Sequence, residues 1–542
     1  MERISGTIVD VTQSQIYPGT LVISGGKIVD IIHEETGDRT YIMPGFVDAH
    51  VHIESSMLPP AEFARIAAAH GTVAAVADPH EIANVLGIDG VRYMIEDARR
   101  SPVKVCFGAP SCVPATPFET AGATLGAQEV SELLQLDEIG YLAEVMHFPG
   151  VINGDPEVMA KIRSAQACFK PVDGHAPGLR GDDLDRYIRA GISTNHESLS
   201  ADEALEDMKR GIIVQIRKGS VADIFEEFLP LLDEHYGQCM FCTDDKHPDD
   251  LVKGHINEMV KEALAYGIDI MKVLRVASVN PVHHYHLNMG LLRRGDPADL
   301  IRVDNLTDFN ILETWIDGSI VARGGVSLLP WEAPRIVNNF HAVPQKPDSF
   351  MVPCRGERIA VIGAVDGSLI TERLVTAPTV HNGCAVSDPE RDILKIAVLN
   401  RYREAKPAVG FIGGFGLKTG AIASSVAHDS HNIVTVGVSD GDLSRAVNLV
   451  VSQGGGLAAV SEKEELLLPL PVAGIMSDGD YPSVADRYTR IDRMAKSMGS
   501  KLRAPFMALS FMALLVIPSL KMSDHGLFDG ESFTVTDLFS GR

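Results

Sequence analysis

The pattern of apolar and polar positions divides the chain into stretches of different texture. In residues 44–284 short apolar runs alternate with segments of helical periodicity, such as 60–70, 129–136, 201–210 and 255–267. This alternation is typical of repeated βα units around a parallel sheet. Eight apolar runs end near His52, Pro79, Gly108, Glu144, His175, His196, Gln215 and Asp244. The stretch is therefore predicted to be an α/β fold of the (β/α)8 TIM-type barrel class.

The flanking segments have other patterns. Residues 1–43 and 285–335 contain short alternating strands separated by Gly-rich turns, and we expect them to join as one sheet. Residues 340–542 are β-rich and Gly-rich and then helical, which predicts an additional C-terminal α+β domain. Its apolar segment 505–520 is interrupted by Pro518 and falls short of the roughly 20 residues of a membrane span. This segment is interpreted as a buried helix or a subunit contact.

The composition of the chain indicates which kind of molecule the protein binds and in which cellular compartment it is found. The 48 Lys and Arg residues face 72 Asp and Glu residues, so the formal net charge is -24. This charge repels phosphate backbones, so we expect a small-molecule substrate rather than nucleic acid, and no membrane partner. The seven scattered cysteines and the absence of a signal-peptide pattern at the N-terminus predict a cytoplasmic protein.

Candidate metal ligands lie where the predicted strands end. His50 and His52 share one face of strand one, because alternate residues of a strand point the same way. The full set is His50, His52, Glu144, His175, His196 and Asp244. Taken singly, Glu144 could be an ion-pair partner, Asp244 a helix N-cap and the histidines loop residues. Together they predict a site for two divalent ions, with Glu144 bridging and room for a shared water.

This ligand pattern resembles the amidohydrolase superfamily, whose barrels carry His-x-His on strand one, a bridging ligand on strand four, histidines on strands five and six, and Asp on strand eight. Many members bridge with a carbamylated lysine, so Glu144 disfavours the hydantoinase and dihydroorotase branches. Residues 295–300 are similar to the edge of that superfamily's split β-sandwich. The resemblance implies a sandwich from 1–43 and 285–335, a barrel from 44–284, and the extra domain at 340–542.

Longer motifs resemble one branch of the superfamily, the bacterial adenine deaminases. They lie at residues 44–57, 77–85, 242–248, 425–432 and 505–520, so the resemblance covers essentially the whole chain. It implies hydrolysis of adenine to hypoxanthine and ammonia in purine salvage. Of the metals that such a mixed site accepts, the resemblance favours manganese or iron, with zinc as the alternative. A homo-oligomer, such as a dimer, is also expected.

The implied reaction assigns roles to particular residues. Asp244, Glu81 and His196 are the predicted catalytic residues, with Asp244 as general base and then acid. Glu81 is predicted to protonate or hydrogen-bond a purine ring nitrogen, with capping of a helix that begins at Ile82 as its alternative role. Asp245 is a predicted substrate-binding residue. It is also the alternative strand-eight ligand, but the superfamily's Thr/Ser-Asp order favours Asp244.

Two questions stay open from the sequence. The cluster His428, Asp429 and His431 could bind an ion, close over the active site or form a solvated loop. The alternatives for function are another amidohydrolase that acts on a different aminated base or cyclic amide, and a non-catalytic scaffold. Aligned ligands at five strand ends argue against a scaffold, which has no physical need for them.

Overall fold

The computed structural model describes residues 1–221 and 223–540. Ala222 of the predicted 44–284 unit and the last two residues of the predicted 340–542 unit lie outside the described residues.

Eight parallel strands occupy the middle of the chain. Numbered 1 to 8 in chain order, they are Phe46–Val51, Thr72–Ala77, Lys104–Ala109, Ile139–Val145, Val172–Gly174, Thr194–Asn195, Ile213–Arg217 and Cys239–Cys242. Strands 1–5 form one parallel sheet and strands 6–8 form another. Their apolar sequences are typical of parallel strands covered on both faces. Each strand ends within two residues of the position predicted from the sequence.

Helices connect these strands, as the periodicity predicts. They are Pro60–Ala69, His80–Leu86, Ile88–Ala98, Ala127–Leu133, Phe148–Asn153, Pro156–Ala167, Gly181–Arg189, Ala201–Lys209, Phe225–His235, Pro248–Leu251, Ile256–Tyr266, Ile270–Leu274 and Asn280–His284. The four helices predicted at 60–70, 129–136, 201–210 and 255–267 are all present, and their ends differ from the predicted ones by at most three residues. Among the described residues, none of the helices combines the length and apolar character needed to cross a bilayer.

Backbone hydrogen bonds link the two parallel sheets at both ends. Ser193 N donates to Val172 O at 2.9 Å, which joins strand 5 to the segment before strand 6. Asp244 N donates to His50 O at 3.0 Å, and His52 N donates to Asp244 O at 3.2 Å. The residues after strand 8 are therefore paired with strand 1. The architecture is mixed α/β with a TIM-barrel-like parallel arrangement.

An eight-stranded sheet joins the two flanking segments. Its strands are Glu2–Asp10, Gln15–Ser24, Lys27–His33, Tyr41–Pro44, Leu300–Val303, Ile311–Ile316, Ser319–Arg323 and Val326–Ser327. The strands Ile311–Ile316 and Ser319–Arg323 of this sheet form a hairpin. It turns at Asp317 and Gly318, where both φ angles are positive, as a two-residue hairpin turn requires.

The C-terminal part contains a nine-stranded sheet and three helices. The sheet consists of Arg358–Gly363, Glu372–Thr376, Leu394–Leu399, Ala408–Gly413, Ala421–Ser424, Ile433–Gly437, Gly456–Val460, Glu465–Pro469 and Phe539–Ser540. Shorter strands are Val352–Pro353, Thr379–His381, Cys384–Val386, Leu520–Ser523, Gly526–Asp529 and Thr534–Val535. The helices are Asp440–Ser452, Tyr481–Ser497 and Pro505–Phe511. The buried-helix interpretation of 505–520 holds for its first seven residues, Pro505–Phe511, where Phe506, Leu509 and Phe511 are at most 3% exposed. The rest of the segment is not helical.

His247 joins the loop after strand 8 to the C-terminal part. Its Nδ1 atom lies 2.6 Å from the hydroxyl of Tyr488, and both side chains are buried. Burial lowers the pKa of His247 to about 3. The folded protein therefore holds a neutral imidazole that the unfolded chain, with a pKa near 6.5, protonates below that pH.

We expect this histidine to reduce stability on acidification. The stabilisation that comes from a neutral His247 is fully present above pH 6.5 and is lost as the pH falls towards 3. At pH 5 this loss should lower the free energy of unfolding by about 2 kcal/mol. Urea unfolding of the metal-free protein at pH 7 and pH 5 measures this loss. A His247→Asn variant should lose less stability over the same interval than wild type and than a variant of the exposed His381. Equal losses in all three proteins would contradict the assignment.

Candidate metal centre

The six predicted ligands converge at the C-terminal ends of the parallel strands. His50 lies in strand 1 and His52 directly follows it, and the others lie in or just beyond strands 4, 5, 6 and 8. All six are buried, with at most 7% exposure. Residues two apart in a strand point to one face, so both strand 1 histidines are directed to the same place. The structure thus brings together the whole set predicted from the sequence.

Glu144 stands at the centre of this group. Its Oε2 atom lies 2.7 Å from His175 Nδ1 and 3.0 Å from His196 Nε2. Its Oε1 atom lies 3.5 Å from His52 Nε2. One carboxylate therefore faces histidines from three different strands, as the predicted bridging role of Glu144 requires.

The adjacent aspartates after strand 8 have different surroundings. Asp244 Oδ1 lies 3.3 Å from His52 Nε2 and 3.6 Å from His50 Nε2. Asp245 instead accepts a hydrogen bond from Ser55, and its Oδ1 atom lies 3.9 Å from His428 Nε2. Asp244 adopts a left-handed backbone conformation with φ 56°, which an aspartate tolerates better than most residues. This turn of the chain directs the two carboxylates to different neighbours.

The donor atoms fit a site for metal ions. His50, His196 and Asp244 offer three ligand atoms within 4.8 Å of one another, and so do Glu144, His175 and His196. Within the described part of the chain, His50 Nδ1, His175 Nε2 and His196 Nδ1 have no hydrogen-bond partner. Buried polar nitrogens of this kind are costly unless a ligand satisfies them. The set therefore suits divalent ions that accept imidazole and carboxylate ligands.

The charge states of the ligands are set by burial and by their charged neighbours. Burial alone would raise the pKa of Glu144, but His175 and His196 hold that pKa well below its usual range. Burial acts likewise on Asp244, whose pKa is held well below its usual range by His50, His52 and Arg217. Burial, together with His50, lowers the pKa of His196 to about 4. The two carboxylates are therefore ionised and His196 is neutral, which are the protonation states that bind metals. Burial alone would lower the pKa of His50, His52 and His175, but Asp244 and Glu144 raise it above its usual value, so metal binding would displace protons from these three imidazoles.

Arg217, at the end of strand 7, is a site residue that the sequence analysis missed. Its Nη1 atom donates to Asp244 Oδ2 at 2.9 Å, and its Nη2 atom donates to Glu197 Oε2 at 2.9 Å. Arg217 and Glu197 are both less than 5% exposed. The guanidinium holds one oxygen of Asp244 and leaves the other facing the histidines. The sequence indicated Arg217 only through its position at the end of a predicted strand to which no ligand had been assigned.

An Arg217→Met variant should be strongly destabilised, because it leaves Glu197 and Asp244 as buried carboxylates without their cation. We expect a loss of about 3–5 kcal/mol in the free energy of unfolding. Denaturant unfolding of the metal-free proteins measures it. The matched control is Arg210→Met, which removes an exposed arginine paired with Asp185 and Glu206 and should cost less than about 1 kcal/mol. Equal costs for the two variants would show that the buried pairing does not contribute.

Comparison with known proteins identifies the family. The family model described as "Amidohydrolase family" matches residues 41–321, and that of the "Adenine deaminase C-terminal domain" matches residues 368–534. Adenine deaminase of Salinibacter ruber is 54% identical over 539 residues, 99% of this chain and 98% of that relative. Adenine deaminase of Methanosarcina acetivorans is 49% identical over 551 residues, 100% of both chains.

The chain belongs to the adenine deaminase family. The family assignment made from the motifs is thereby confirmed, but its restriction to bacteria is too narrow, because the relatives are archaeal as well as bacterial. The match extends over both the amidohydrolase segment and the C-terminal segment.

The C-terminal part contributes buried polar residues to the site. His428, Asp429 and His431 are at most 4% exposed, so the solvated-loop interpretation is wrong. His428 Nδ1 contacts Glu81 Oε1, and His431 Nε2 contacts Glu81 Oε2. Burial alone would raise the pKa of Glu81, but His428, His431 and His80 hold it well below its usual range. Glu81 is therefore ionised, with both of its oxygens facing imidazoles.

The side chain of Glu81 does not cap the helix that follows strand 2, which was its alternative role. The helix begins at His80, and the N–H of Ile82 donates to Glu54 Oε1 at 3.2 Å. Glu81 lies in the first turn of this helix but points away from it, towards the C-terminal part. The sequence places Glu81 after strand 2, whereas its partners lie about 350 residues further along the chain.

His80 is a second residue that the sequence analysis left without a role. Its Nδ1 atom lies 3.2 Å from Asp78 Oδ2 and 3.3 Å from Glu144 Oε1. His52, Asp78, His80 and Glu144 offer ligand atoms within 4.8 Å of one another. The imidazole thus stands directly beside the predicted bridging ligand. The signal that could have found it was its position three residues after the end of strand 2.

Two cavities meet at this group. The smaller, of about 30 Å³, is lined by five of the six predicted ligands, all except His50, by His428 and Asp429, and by Phe511 and Leu514. This is roughly the volume of one water molecule. The larger, of about 730 Å³, shares Met146, Glu197 and Leu369 with it. A purine is larger than the inner cavity, so the adjoining space is where such a molecule would approach.

Proposed function

We propose that this chain catalyses the metal-dependent hydrolysis of adenine to hypoxanthine and ammonia, as a step of purine salvage. The observation that carries the proposal is the full-length similarity to adenine deaminases, combined with the convergence of the six predicted ligands. The proposed ligands are His50, His52, Glu144, His175, His196 and Asp244. Manganese or iron is the proposed metal, with zinc as the alternative.

The chain's own residues supply positioning and proton transfer. When bound, two divalent ions would lower the pKa of a shared water and so make a nucleophile available near neutral pH. Asp244 accepts the first proton of that water and passes it to the amine that leaves C6. Arg217 fixes the orientation of Asp244 through its Oδ2 atom. His196, stacked on His50 with ring centroids 4.0 Å apart, is proposed to act as a ligand that holds this arrangement.

Addition at C6 places electrons on a ring nitrogen, which must then be protonated. Glu81 is proposed to serve this step, and Asp245 is proposed to bind the purine beside it. Both carboxylates border the group formed by the strand ends and the C-terminal part. As Glu81 is ionised, its contribution is to orient a neighbouring donor rather than to carry the proton itself.

The proposal extends to architecture and cellular context. We propose that the eight parallel strands close as one (β/α)8 barrel over residues 44–284, which the hydrogen bonds between strands 5 and 6 and between strands 8 and 1 support. Residues 1–43 and 285–335 would form the split β-sandwich domain, and 340–542 the C-terminal domain. The enzyme is proposed to act in the cytoplasm as a homo-oligomer, such as a dimer.

The test is adenine turnover. Protein stripped with a chelator and reconstituted with manganese or iron(II) should change the absorbance of adenine to that of hypoxanthine and release one ammonia per purine. The chelator-treated protein without added metal is the control. If the protein does not turn over adenine with manganese, iron or zinc, adenine is rejected as the substrate. Other aminated bases and cyclic amides would then be tested.

A further inference from the structure

A histidine from the C-terminal part faces the reaction space without a catalytic assignment. His428 lines the small cavity beside the strand-end ligands and is 4% exposed. Its ring stacks on Phe511, with centroids 5.0 Å apart and planes inclined by 24°. The stacking fixes the plane of the imidazole, so its two nitrogens have defined directions.

The two ring nitrogens of His428 have different surroundings. Nδ1 contacts Glu81 Oε1 within hydrogen-bond distance. Nε2 makes no hydrogen bond within the described residues, and the nearest carboxylate oxygen in an ion-pair contact is Asp245 Oδ1 at 3.9 Å. A carboxylate on one nitrogen and an open second nitrogen is the arrangement by which enzymes orient a histidine for proton transfer.

Glu81 is itself held in place by a second histidine. The N–H of Ala427 donates to His431 Nδ1 at 3.2 Å, so the proton of a neutral His431 lies on Nε2. That Nε2 atom contacts the other oxygen of Glu81. Burial lowers the pKa of His431, which agrees with a neutral ring. One oxygen of Glu81 therefore faces His431, and the other contacts His428 Nδ1.

Charges around His428 favour its imidazolium form. Carboxylates face it from three elements: Glu81 from the first turn of the helix after strand 2, Asp245 from the loop after strand 8, and Asp429 from its own loop. The other titratable groups near it are His431 and His247. Burial alone would lower the pKa of His428, but Glu81 and Asp245 raise it to about 9.

From this geometry we infer that His428 is the proton donor to the purine ring, with Glu81 as its positioning residue. This inference rests on the proposed function. As the C6–O bond forms, the electron pair of the C6–N1 double bond moves to N1, which takes the proton from His428 Nε2. The first water proton travels through Asp244 to the amine as the C6–N bond breaks. The second water proton, released as the C6 carbonyl forms, returns to His428 through solvent, so the balance is adenine plus water to hypoxanthine plus ammonia.

The consequence is that the C-terminal part completes the catalytic apparatus of the parallel-strand part. The strand ends supply the ligands and the base, and residues 428 and 431 supply the acid and the partner that holds Glu81. Neither part alone contains both members of the Glu81–His428 pair. This gives a chemical reason for the presence of the C-terminal part in the same chain.

The test uses the full-length, metal-loaded protein and a His428→Gln variant, whose amide can hydrogen-bond but cannot deliver a proton. We expect kcat to fall by about 10²–10⁴-fold, with unchanged metal content and a small change in KM. In a plot of kcat against pH, the decrease at alkaline pH, which we expect from deprotonation of His428, should be absent from this variant. Replacing Glu81 by Gln should move that decrease to lower pH, because His428 loses its anionic partner. Replacement of the exposed His381 by Gln is the matched control, and thermal unfolding confirms that each variant is folded.

Histidine NMR titration of the wild-type protein gives an answer that does not depend on turnover. The histidine signal that is present in wild type and missing in His428→Gln belongs to His428. Its chemical shift at pH 7 should be that of an imidazolium. A neutral His428 at pH 7, or a His428→Gln variant with wild-type kcat and the wild-type decrease at alkaline pH, would overturn the assignment. Adenine turnover by the wild-type protein tests the proposed function, whereas the protonation state and the difference between wild type and variant test His428.

Discussion

A Glu144→Gln variant should lose both bound metal and adenine turnover. The carboxylate faces His52, His175 and His196, and a neutral amide can neither carry the negative charge nor offer two equivalent oxygens to two ions. Changes to outer partners of a metal site typically cost 10–100-fold in affinity or activity. Loss of the central ligand should therefore cost more than about a hundredfold in kcat/KM.

The measurement combines metal content by elemental analysis with the rate of adenine consumption. The matched control is Glu132→Gln, an exposed glutamate whose side chain contacts Gln128 on the same helix surface. The control should retain wild-type metal content and rate. A Glu144→Gln protein that is folded, binds two ions per chain and turns over at the wild-type rate would remove Glu144 from the site.

An Asp244→Asn variant should show the second large effect. The substitution keeps the shape of the side chain but removes the group that accepts a proton from water and returns it to the amine. General acid–base catalysis typically contributes 10²–10⁴-fold, so kcat should fall by about this factor. Arg217 retains Glu197 as its partner in the variant, so the protein should remain folded.

Asp245→Asn is the natural comparison, because the two aspartates are adjacent and chemically identical. Asp244 faces His50 and His52, whereas Asp245 faces Ser55 and His428. We expect Asp245→Asn to retain its metal and to affect KM more than kcat. Steady-state kinetics and metal analysis of both variants measure the difference. If Asp245→Asn lost metal while Asp244→Asn kept it, the strand 8 ligand would have to be reassigned.

Buried titratable groups are concentrated where the two parts of the chain meet, at His247, His428 and Glu81. Burial keeps His247 neutral, whereas Glu81 and His428 stabilise each other's charged forms against the effect of burial. Protonation of His247 on acidification should therefore weaken the contact between the two parts of the chain.

Much of the site was readable from the sequence because its ligands follow directly from strand periodicity. A strand directs alternate residues to one face, and parallel strands of one sheet end at the same edge, so His50, His52 and Glu144 could be placed together without coordinates. The eight strands were found for a related reason, since buried parallel strands are apolar runs that alternate with helical segments along the chain. These are local properties, and the order of residues alone determines them.

Other features were decided only by the tertiary structure. The roles of Asp244 and Asp245 depend on a left-handed backbone conformation after strand 8, which neighbouring sequence does not specify. The burial of His428 and His431, and their contact with Glu81, bring together residues about 350 positions apart. Arg217 is part of the site because strand 7 lies beside strand 8, where its guanidinium meets Asp244. Periodicity determines which face of an element a residue occupies, whereas the packing of distant elements determines which residues meet across that face.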